Sequence, residues 1–482
     1  MQNHSIFKNN KKKFIDISSK LIINNLKDYF ILASPFVFKS KLRNSDEILP
    51  KNISIFYHFL YIIFFTLINL IKRFNAKKHY QNNKDYQNID NVYISHFTFT
   101  NNNNEKFYDN YFGEILYLGS SKNLIIYIPH KITSISSIVK KEFNNSRHKI
   151  IIIARYQNYF KEIIQIFKNF KKSFRFFISS LFTKNNHEKW FLKKTSLSLV
   201  SETTLQTLSD VNNIFNLLKN LNYKNLFLPF EGFSWERLLI LKIKSQNNKH
   251  KIYGYINSGI FENQISIFLK INSKIYPDFL LTSGDIIKKY LYSKINININ
   301  SIINIGSSRV NHSLKIKKQY KNNKDILFIL EALDSEIDIL LEFASELTRL
   351  NFNQKIYIKF HPLTNIKKYE KIFKMNKKLK LFKPSNINNI KYSIFRGSTA
   401  IIQLINYGIV PIYYNSYSLI NLNPIFFYFD KNLIINNASD LNWILKNYSS
   451  ISQTNCFKLL FTKSKFYYEP LKKDKFIKII SD

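Results

Sequence analysis

The residues best suited to chemistry in this 482-residue chain stand in a few short turns. Residues 395–400 read FRGSTA, after a predicted strand at 393–395 and before a predicted helix that ends near Gly408. A turn of Gly397, Ser398 and Thr399 at a helix start presents free backbone N–H groups and two hydroxyls to an anion. Arg396 would add a fixed cation. The pattern predicts a phosphate site, and the alternative is a capped helix with no ligand.

A second turn follows the predicted strand 356–360 and contains Lys359, His361 and Pro362. Because proline restricts the preceding residue to extended conformations, His361 should be held just past the end of the strand. There it could donate a hydrogen bond to a phosphate oxygen, with Lys359 as a second cation. A surface histidine before an ordinary turn is the alternative.

A third turn, residues 230–237 (FEGFSWER), joins a predicted strand to a predicted helix. Glu231 and Gly232 come at the strand end, close to apolar Phe and Trp side chains. Such surroundings are expected to raise the pKa of a carboxyl, so Glu231 is a candidate general base. We expect Glu236 and Arg237 to be solvated charges at the helix start, and a cap formed by Glu231 is the structural alternative for that residue.

Two weaker sites also follow predicted strands. Asn257 and Ser258 come after the strand 252–256, where they could contact an acceptor. Ser307 and Arg309 come after the strand 302–305, and again place a hydroxyl and a cation at a strand end.

The elements that would position these turns are unbroken apolar runs, which are typical of strands buried on both faces. They alternate with helical patterns, such as 335–349, and this alternation predicts α/β domains with parallel sheets. The predicted strands are 92–95, 124–128, 150–154, 226–229 and 252–256, followed by 279–282, 302–305, 326–330, 356–360, 393–395 and 410–414. We predict a basic extension over 1–88 with an apolar helix at 55–71, a first Rossmann-like domain over 89–270 and a second over 271–482.

These motifs together resemble the GT-B glycosyltransferases of bacterial capsule and lipopolysaccharide synthesis, including the Kdo- and sialic-acid-transferring kinds. Those families carry an acidic-Gly motif, similar to Glu231-Gly232 here, and a His-Pro motif, similar to His361-Pro362. They also carry a Ser/Thr motif, similar to Ser398-Thr399. The resemblance covers about residues 220–420 and implies two Rossmann-like domains that face a cleft. The first would bind the acceptor and the second the nucleotide sugar.

The function that the resemblance implies is transfer of a sugar from a nucleotide sugar to a surface glycan or a lipid-linked acceptor. We expect it to be inverting and metal-independent, with no cofactor apart from the nucleotide-sugar substrate, for which a CMP-linked sugar is one candidate. One alternative on the same fold is a polyol-phosphate transferase that uses a CDP-alcohol. Another is a non-enzymatic basic protein that binds membrane or nucleic acid.

The composition limits these alternatives. The net charge of +40 would suit nucleic acid or an anionic membrane, but lysine is spread along the whole chain. The abundance of Ile, Asn, Lys, Phe and Tyr is typical of AT-rich coding, and no nucleic-acid-binding motif is present, so we expect no nucleic-acid partner. The single cysteine, Cys456, excludes a disulfide within the chain and fits a cytoplasmic location. No Asp-x-Asp, HExxH or paired CxxC motif is found.

Two apolar stretches could contact a membrane. Residues 55–71 approach the length of a membrane span but contain His58 and Asn69, so a buried helix, an interfacial helix and a spanning helix all stay open. An interfacial helix would give peripheral contact with an anionic inner membrane. Residues 159–182 place Ile163, Ile164, Phe167 and Phe170 at helical spacing, which favours an ordinary helix with this face in the core.

Overall fold

The computed structural model describes most of the chain. The described residues are 2–39, 54–72, 80–81, 89–97, 109–119, 122–129, 146, 148–155, 157–246, 250–269, 271–295, 297–308, 324–350, 352, 354–362, 364–416 and 421–481.

An eight-stranded sheet forms the first domain. Its strands are β1 (Tyr80–Gln81), β2 (Asn91–Phe97), β3 (Asn123–Pro129), β4 (Lys149–Ile152), β5 (Asn225–Pro229), β6 (Lys251–Ile256), β7 (Phe279–Thr282) and β8 (Ile302–Asn304). Their order is β1-β4-β3-β2-β5-β6-β7-β8, and all are parallel except β1, which pairs antiparallel with β4. The seven parallel strands follow the order 3-2-1-4-5-6 of the Rossmann fold, with one further strand at the edge.

A six-stranded sheet forms the second domain. Its strands are β9 (Asp325–Ile329), β10 (Ile356–Lys359), β11 (Leu379–Leu381), β12 (Ile390–Phe395), β13 (Val410–Tyr414) and β14 (Ile434–Ile435). They are all parallel, in the order β11-β10-β9-β12-β13-β14, which is again 3-2-1-4-5-6. The two-domain, GT-B-like α/β architecture predicted from the sequence is therefore confirmed.

Helices connect the strands in both domains. Those before β9 are α1 (Gln2–Asn24), α2 (Tyr29–Leu32), α3 (Ile55–Lys72), α4 (Tyr159–Phe182), α5 (Asn186–Leu199), α6 (Glu202–Leu218), α7 (Ser234–Lys244) and α8 (Asp285–Lys294). Those after it are α9 (Asp334–Arg349), α10 (Glu370–Met375), α11 (Ala400–Asn406), α12 (Ala438–Lys446), α13 (Tyr448–Ile451), α14 (Asn455–Ser464) and α15 (Lys473–Ser481). The predicted helix 335–349 corresponds to α9.

The central strands are covered on both faces, as their unbroken apolar sequences require. In β2, Val92 and Ile94 pack into the core on one side of the sheet, and Tyr93 packs into the core on the other side. The side chains of a strand alternate between its two faces, so both sets must be apolar. The predicted helical extension is present, and its Phe14 packs edge-on against Phe191 within the first domain's core.

The predicted boundary at residue 271 is wrong in one respect. Strands β7 and β8, which we expected to open the second domain, pair with β6 and extend the first sheet. The apolar pattern of a strand does not specify which sheet it joins, because long-range pairing decides this. The chain also returns at its end, where Phe476 of α15 is buried against Phe227 of β5.

The prediction that the apolar face of residues 159–182 lies in the core is also wrong. The helix forms, but Ile164 and Phe167 point into solvent, while Glu162, Asn169 and Ser173 are buried. Helical periodicity locates an apolar stripe without showing which way it faces. Within the described residues, no helix has both the length and the apolar character needed to cross a bilayer.

Candidate functional site

The loops with the predicted site residues lie at corresponding places in the two sheets. In the first sheet β2 lies beside β5, and in the second sheet β9 lies beside β12, so that in each case the first and fourth Rossmann strands are neighbours. At such a switch point the loops after the carboxyl ends diverge and leave a crevice for ligands. Glu231 follows β5, and the turn 396–399 follows β12.

The turn that contains Glu231 is shaped by Gly232 and Glu236. Gly232 has φ of 79° and lies against the backbone of Ser266, where a side chain would not fit. The Glu236 carboxylate accepts hydrogen bonds from the amides of Glu231, Gly232 and Phe233 at 2.8–3.0 Å. These bonds fix the backbone of the turn, and the half-buried Glu231 side chain takes no part in them.

The expectation that Glu236 and Arg237 are solvated is wrong, since both are buried. Arg237 donates to the carbonyls of Gly232 and Ser266 and lies 4.5 Å from the ring centroid of Tyr276. Burial raises the pKa of Glu236 well above its usual value, with a further contribution from the charge of Glu231, although the amide hydrogen bonds act in the opposite direction. Glu236, and not Glu231, caps the helix.

The next loop connects the two domains beside Glu231. Ser258 donates a hydrogen bond of 3.1 Å to Glu231 Oε1. Gly259, the following residue, donates from its amide to the Tyr468 hydroxyl at 3.1 Å. A Cβ at Gly259 would lie 3.3 Å from Thr399 Cγ2 and 3.1 Å from Ile402 Cδ1. Gly259 therefore lies close to Thr399 of the second domain, and the residue before it, Ser258, is hydrogen-bonded to Glu231 of the first domain.

Asn257 is the buried member of this loop. It is 2% exposed, and its Nδ2 has no hydrogen-bond acceptor within the described part of the chain. A buried amide that lacks an acceptor costs free energy, so the position suits a polar ligand atom.

The expectation that Arg396 binds phosphate is wrong. Its side chain is fully buried, with Nε 2.7 Å from Glu336 Oε2 and Nη1 2.8 Å from the Tyr414 carbonyl. Burial alone would lower the pKa of Arg396, but Tyr413 and Glu336 outweigh it and raise the pKa. The guanidinium therefore anchors the turn to α9 and β13 and does not face the cleft.

The rest of this turn offers backbone hydrogen-bond donors beside a buried carboxylate. Gly397 leaves room for the Glu331 carboxylate, with which a Cβ at this position would overlap. In the described structure, the amides of Gly397, Ser398 and Thr399 donate to no protein acceptor. Ser398 is buried and Thr399 is partly exposed, next to Gly259.

Lys359 and His361 lie at the same edge of the second sheet. Lys359 is in register with Ile329, and Phe395 is in register with the same residue from the other side. Burial lowers the pKa of the Lys359 ammonium. His361 and Pro362 come directly after the strand, and the His361 carbonyl accepts a hydrogen bond of 2.9 Å from the Thr364 amide. The strand-end position predicted for His361 is thus observed.

The Gly306-Ser307 segment has a different setting from the one expected. Ser307 is buried, and its amide donates to the Glu469 carbonyl at 2.8 Å. Gly306 has φ of 78° and abuts the Pro470 carbonyl, so this strand end packs on the chain that returns to the first domain. Arg309 lies outside the described residues.

Sequence reasoning missed two residues at the switch points. His96 is the penultimate residue of β2, and its ring centroid lies 5.3 Å from that of Trp235. Glu331 follows β9 and is buried against Gly397. A polar residue at the end of an apolar strand was the available signal for both.

The protein so defined has two Rossmann-like domains whose switch-point loops meet. No family model matches the chain, and no curated protein matches it. Among solved structures it is similar to the complex of S. aureus MnaA with UDP, with 10% identity over 82% of this chain and 96% of that one and a TM-score of 0.44. It is also similar to the lipopolysaccharide outer core galactosyltransferase WaaB, with 11% identity over 81% and 99% and a TM-score of 0.40.

A further similarity is to TarM, with 14% identity and a TM-score of 0.35, over 56% of this chain and only 57% of TarM. Identities and TM-scores at these levels do not carry an activity from one chain to another. Among the described residues, no group of three or more His, Cys, Asp and Glu side chains is arranged to hold a metal ion.

Proposed function

We propose that this chain is a glycosyltransferase that moves a sugar from a nucleotide sugar to a hydroxyl of a glycan or lipid-linked acceptor. The observation that carries the proposal is the convergence of two switch-point loops, through the contact of Gly259 with Thr399. On one side of this contact is a carboxylate that can accept a proton, and on the other is a turn with free amides. Transfer from a phosphate leaving group requires these two capacities side by side.

Glu231 is the proposed general base. Its carboxylate is half-buried and held by Ser258, and its backbone is fixed by Glu236. As the acceptor oxygen attacks the anomeric carbon, the hydroxyl proton passes to Glu231. The bond from that carbon to the phosphate oxygen breaks, and its electron pair leaves with the nucleotide. Attack opposite the leaving group inverts the anomeric centre.

The second domain would bind the nucleotide phosphate. The amides of Gly397, Ser398 and Thr399 can donate to phosphate oxygens, and Lys359 and His361 lie at the same sheet edge. Fixed donors and cations offset the charge that develops on the leaving group, and this is the basis for proposing a metal-independent reaction. Arg396 has no direct part, because its guanidinium is committed to Glu336.

The test combines a ligand panel with a matched pair of variants. Thermal unfolding with CMP, CDP, UDP and GDP should give a clear rise for one nucleotide, since selective binding stabilises the folded state. Glu231→Gln should lower transfer roughly 10²–10⁴-fold while leaving nucleotide affinity nearly unchanged. Glu114→Gln, at an exposed carboxylate, is the control and should keep full activity. Loss of nucleotide binding in Glu231→Gln would refute the role of a base, and no response to any nucleotide would refute the proposed function.

A further inference from the structure

The exposed surface of α3 and α4 is unusually apolar. Among the described residues, 25 large apolar side chains are exposed, and eight of them lie on α3 and six on α4. Scattered exposed apolar residues are normal, but a concentration of this kind marks an interaction surface.

On α4 these side chains form one stripe. They recur every three to seven residues, at positions that share one face of an α-helix. The members are Phe160, Ile164, Phe167, Phe174, Ile178 and Phe182, with Phe160 73% and Phe182 81% exposed. The stripe runs the whole length of the 24-residue helix.

The opposite face of α4 is buried and mostly polar, since five of its eight buried residues are polar and only Ile166, Phe176 and Phe177 are apolar. A surface helix usually buries its apolar face instead. Asn169 donates to the Leu199 carbonyl at 2.8 Å, and Ser173 donates to the Ser196 carbonyl at 2.8 Å. Glu162 accepts a hydrogen bond of 2.7 Å from Ser209. Because these buried groups have partners, the helix is held firmly with its aromatic side chains outward.

Helix α3 shows the same reversal. His58, Thr66 and Asn69 face the protein, where His58 Nε2 lies 3.2 Å from Ser196 Oγ and Asn69 donates to the Val200 carbonyl at 2.9 Å. Phe56 and Ile71, in contrast, are 71% and 70% exposed.

The two helices border one another through aromatic contacts. The ring centroid of Phe174, in the α4 stripe, lies 6.3 Å from that of Phe177, which stacks on His58 of α3 at 4.5 Å. We call the outward faces of α3 and α4 together the apolar surface.

Basic side chains accompany the apolar surface. Lys161, Lys168, Lys171 and Arg175 are all exposed on α4. At 100° per residue Lys161, Lys168 and Arg175 fall on one flank of the stripe, and Lys171 lies within it. A helix with aromatic residues on one side and flanking cations is suited to the interface of a membrane, since long basic side chains can reach the headgroups.

We propose that the apolar surface binds the face of a lipid bilayer that contains anionic phospholipid, with α3 and α4 lying in the plane of the interface. The aromatic stripe would enter the boundary between headgroups and acyl chains, and the α4 cations would contact lipid phosphates. A second copy of the chain fits less well, because a two-fold interface would bring two identical sets of these cations together. The proposal is independent of the transfer chemistry proposed above.

The test is flotation of the full chain with vesicles of phosphatidylcholine alone and of phosphatidylcholine with about one third phosphatidylglycerol. We expect binding only to the anionic vesicles. A variant with Phe56→Ser, Phe64→Ser, Phe160→Ser and Phe167→Ser should lose binding, by roughly tenfold for each ring removed. Its matched control, Leu350→Ser with Trp443→Ser, changes exposed apolar side chains of the second domain and should bind normally.

The charge is tested separately by Lys161→Gln, Lys168→Gln, Lys171→Gln and Arg175→Gln. Binding should weaken about fivefold for each cation removed. Neutralising the exposed Lys367, Lys371, Lys374 and Lys377 removes the same charge from the second domain and should have little effect.

Thermal unfolding of every variant confirms that it is folded. Absence of binding to anionic vesicles would overturn the proposal, and so would binding that the four Phe→Ser changes leave intact. Sedimentation showing a dimer that these changes dissociate, with no vesicle binding, would assign the apolar surface to a second copy instead.

Discussion

Substitutions in the buried ion pair of Arg396 and Glu336 test most directly whether Arg396 binds a ligand or stabilises the fold. The two side chains are 0% and 1% exposed, and their closest atoms are 2.7 Å apart. Arg396→Met leaves the Glu336 carboxylate buried without its cation, which typically costs about 3–5 kcal/mol. For a domain of this size, each 1 kcal/mol lowers the melting temperature by about 2–4 °C, so we expect a fall on the order of 10 °C.

The double variant Arg396→Met with Glu336→Leu removes both charges together. Replacing a buried pair by apolar residues of similar volume is often close to neutral, so most of the lost stability should return. Because Arg396 does not face the cleft, the folded double variant should also bind nucleotide with nearly the affinity of the unmodified chain. Thermal unfolding and titration calorimetry measure the two quantities. A double variant that is stable but has lost nucleotide affinity would show that Arg396 contacts the ligand after all.

Two further predictions concern the domain contact and helix α3. Gly259→Leu should lower the rate of transfer by roughly a hundredfold, because the new side chain would separate Ser258 from the Thr399 turn. Since Gly259 is buried, the change should also lower stability by about 1–3 kcal/mol. Gly259→Ala should have smaller effects, and equal activity of the two in a transfer assay would argue against the contact. Burial, followed by the charges of Lys193 and Lys194, lowers the pKa of His58 to about 4. The stability it contributes is present above its unfolded value near pH 6.5 and is lost as the pH falls toward 4, with roughly 2 kcal/mol lost near pH 5. The hydrogen-exchange protection factors of the α3 amides, which correct for the slower intrinsic exchange in acid, should therefore fall as the pH is lowered. In His58→Phe, which keeps a ring against Phe177, this fall should be much smaller.

The fold was largely predictable because its strands are buried on both faces and so require unbroken apolar sequences. The runs at 226–229 and 326–330 are strands in the structure, with ends within one residue of the prediction. The sheet to which 279–282 belongs was not predictable, since hydrogen-bonded partners distant in sequence decide it.

The candidate site was predictable only in its position. Residues at the carboxyl ends of parallel strands converge, and this rule correctly placed the Glu231 and Thr399 turns near each other. It did not show which polar groups remain available. Arg396 reads as a ligand-binding cation until Glu336, which lies 60 residues away, is found against it. Glu236 likewise reads as a solvated charge until its three backbone donors are seen.

The outward apolar face of α4 was also not predictable from the sequence, because a sequence pattern does not show which contacts a side chain makes in the fold. Sequence patterns assume that an apolar stripe is buried, because burying it is the usual source of stability. Here the buried face is mostly polar, and its Glu162, Asn169 and Ser173 each have hydrogen-bond partners on α5 or α6, beside apolar Ile166, Phe176 and Phe177. Such a polar contact contributes less to folding than an apolar one would, because hydrogen bonds to water are exchanged for hydrogen bonds within the protein. The outward display of Phe160, Phe167 and Phe182 therefore has no evident benefit for folding alone, which is why an external apolar phase is the occupant that best accounts for it.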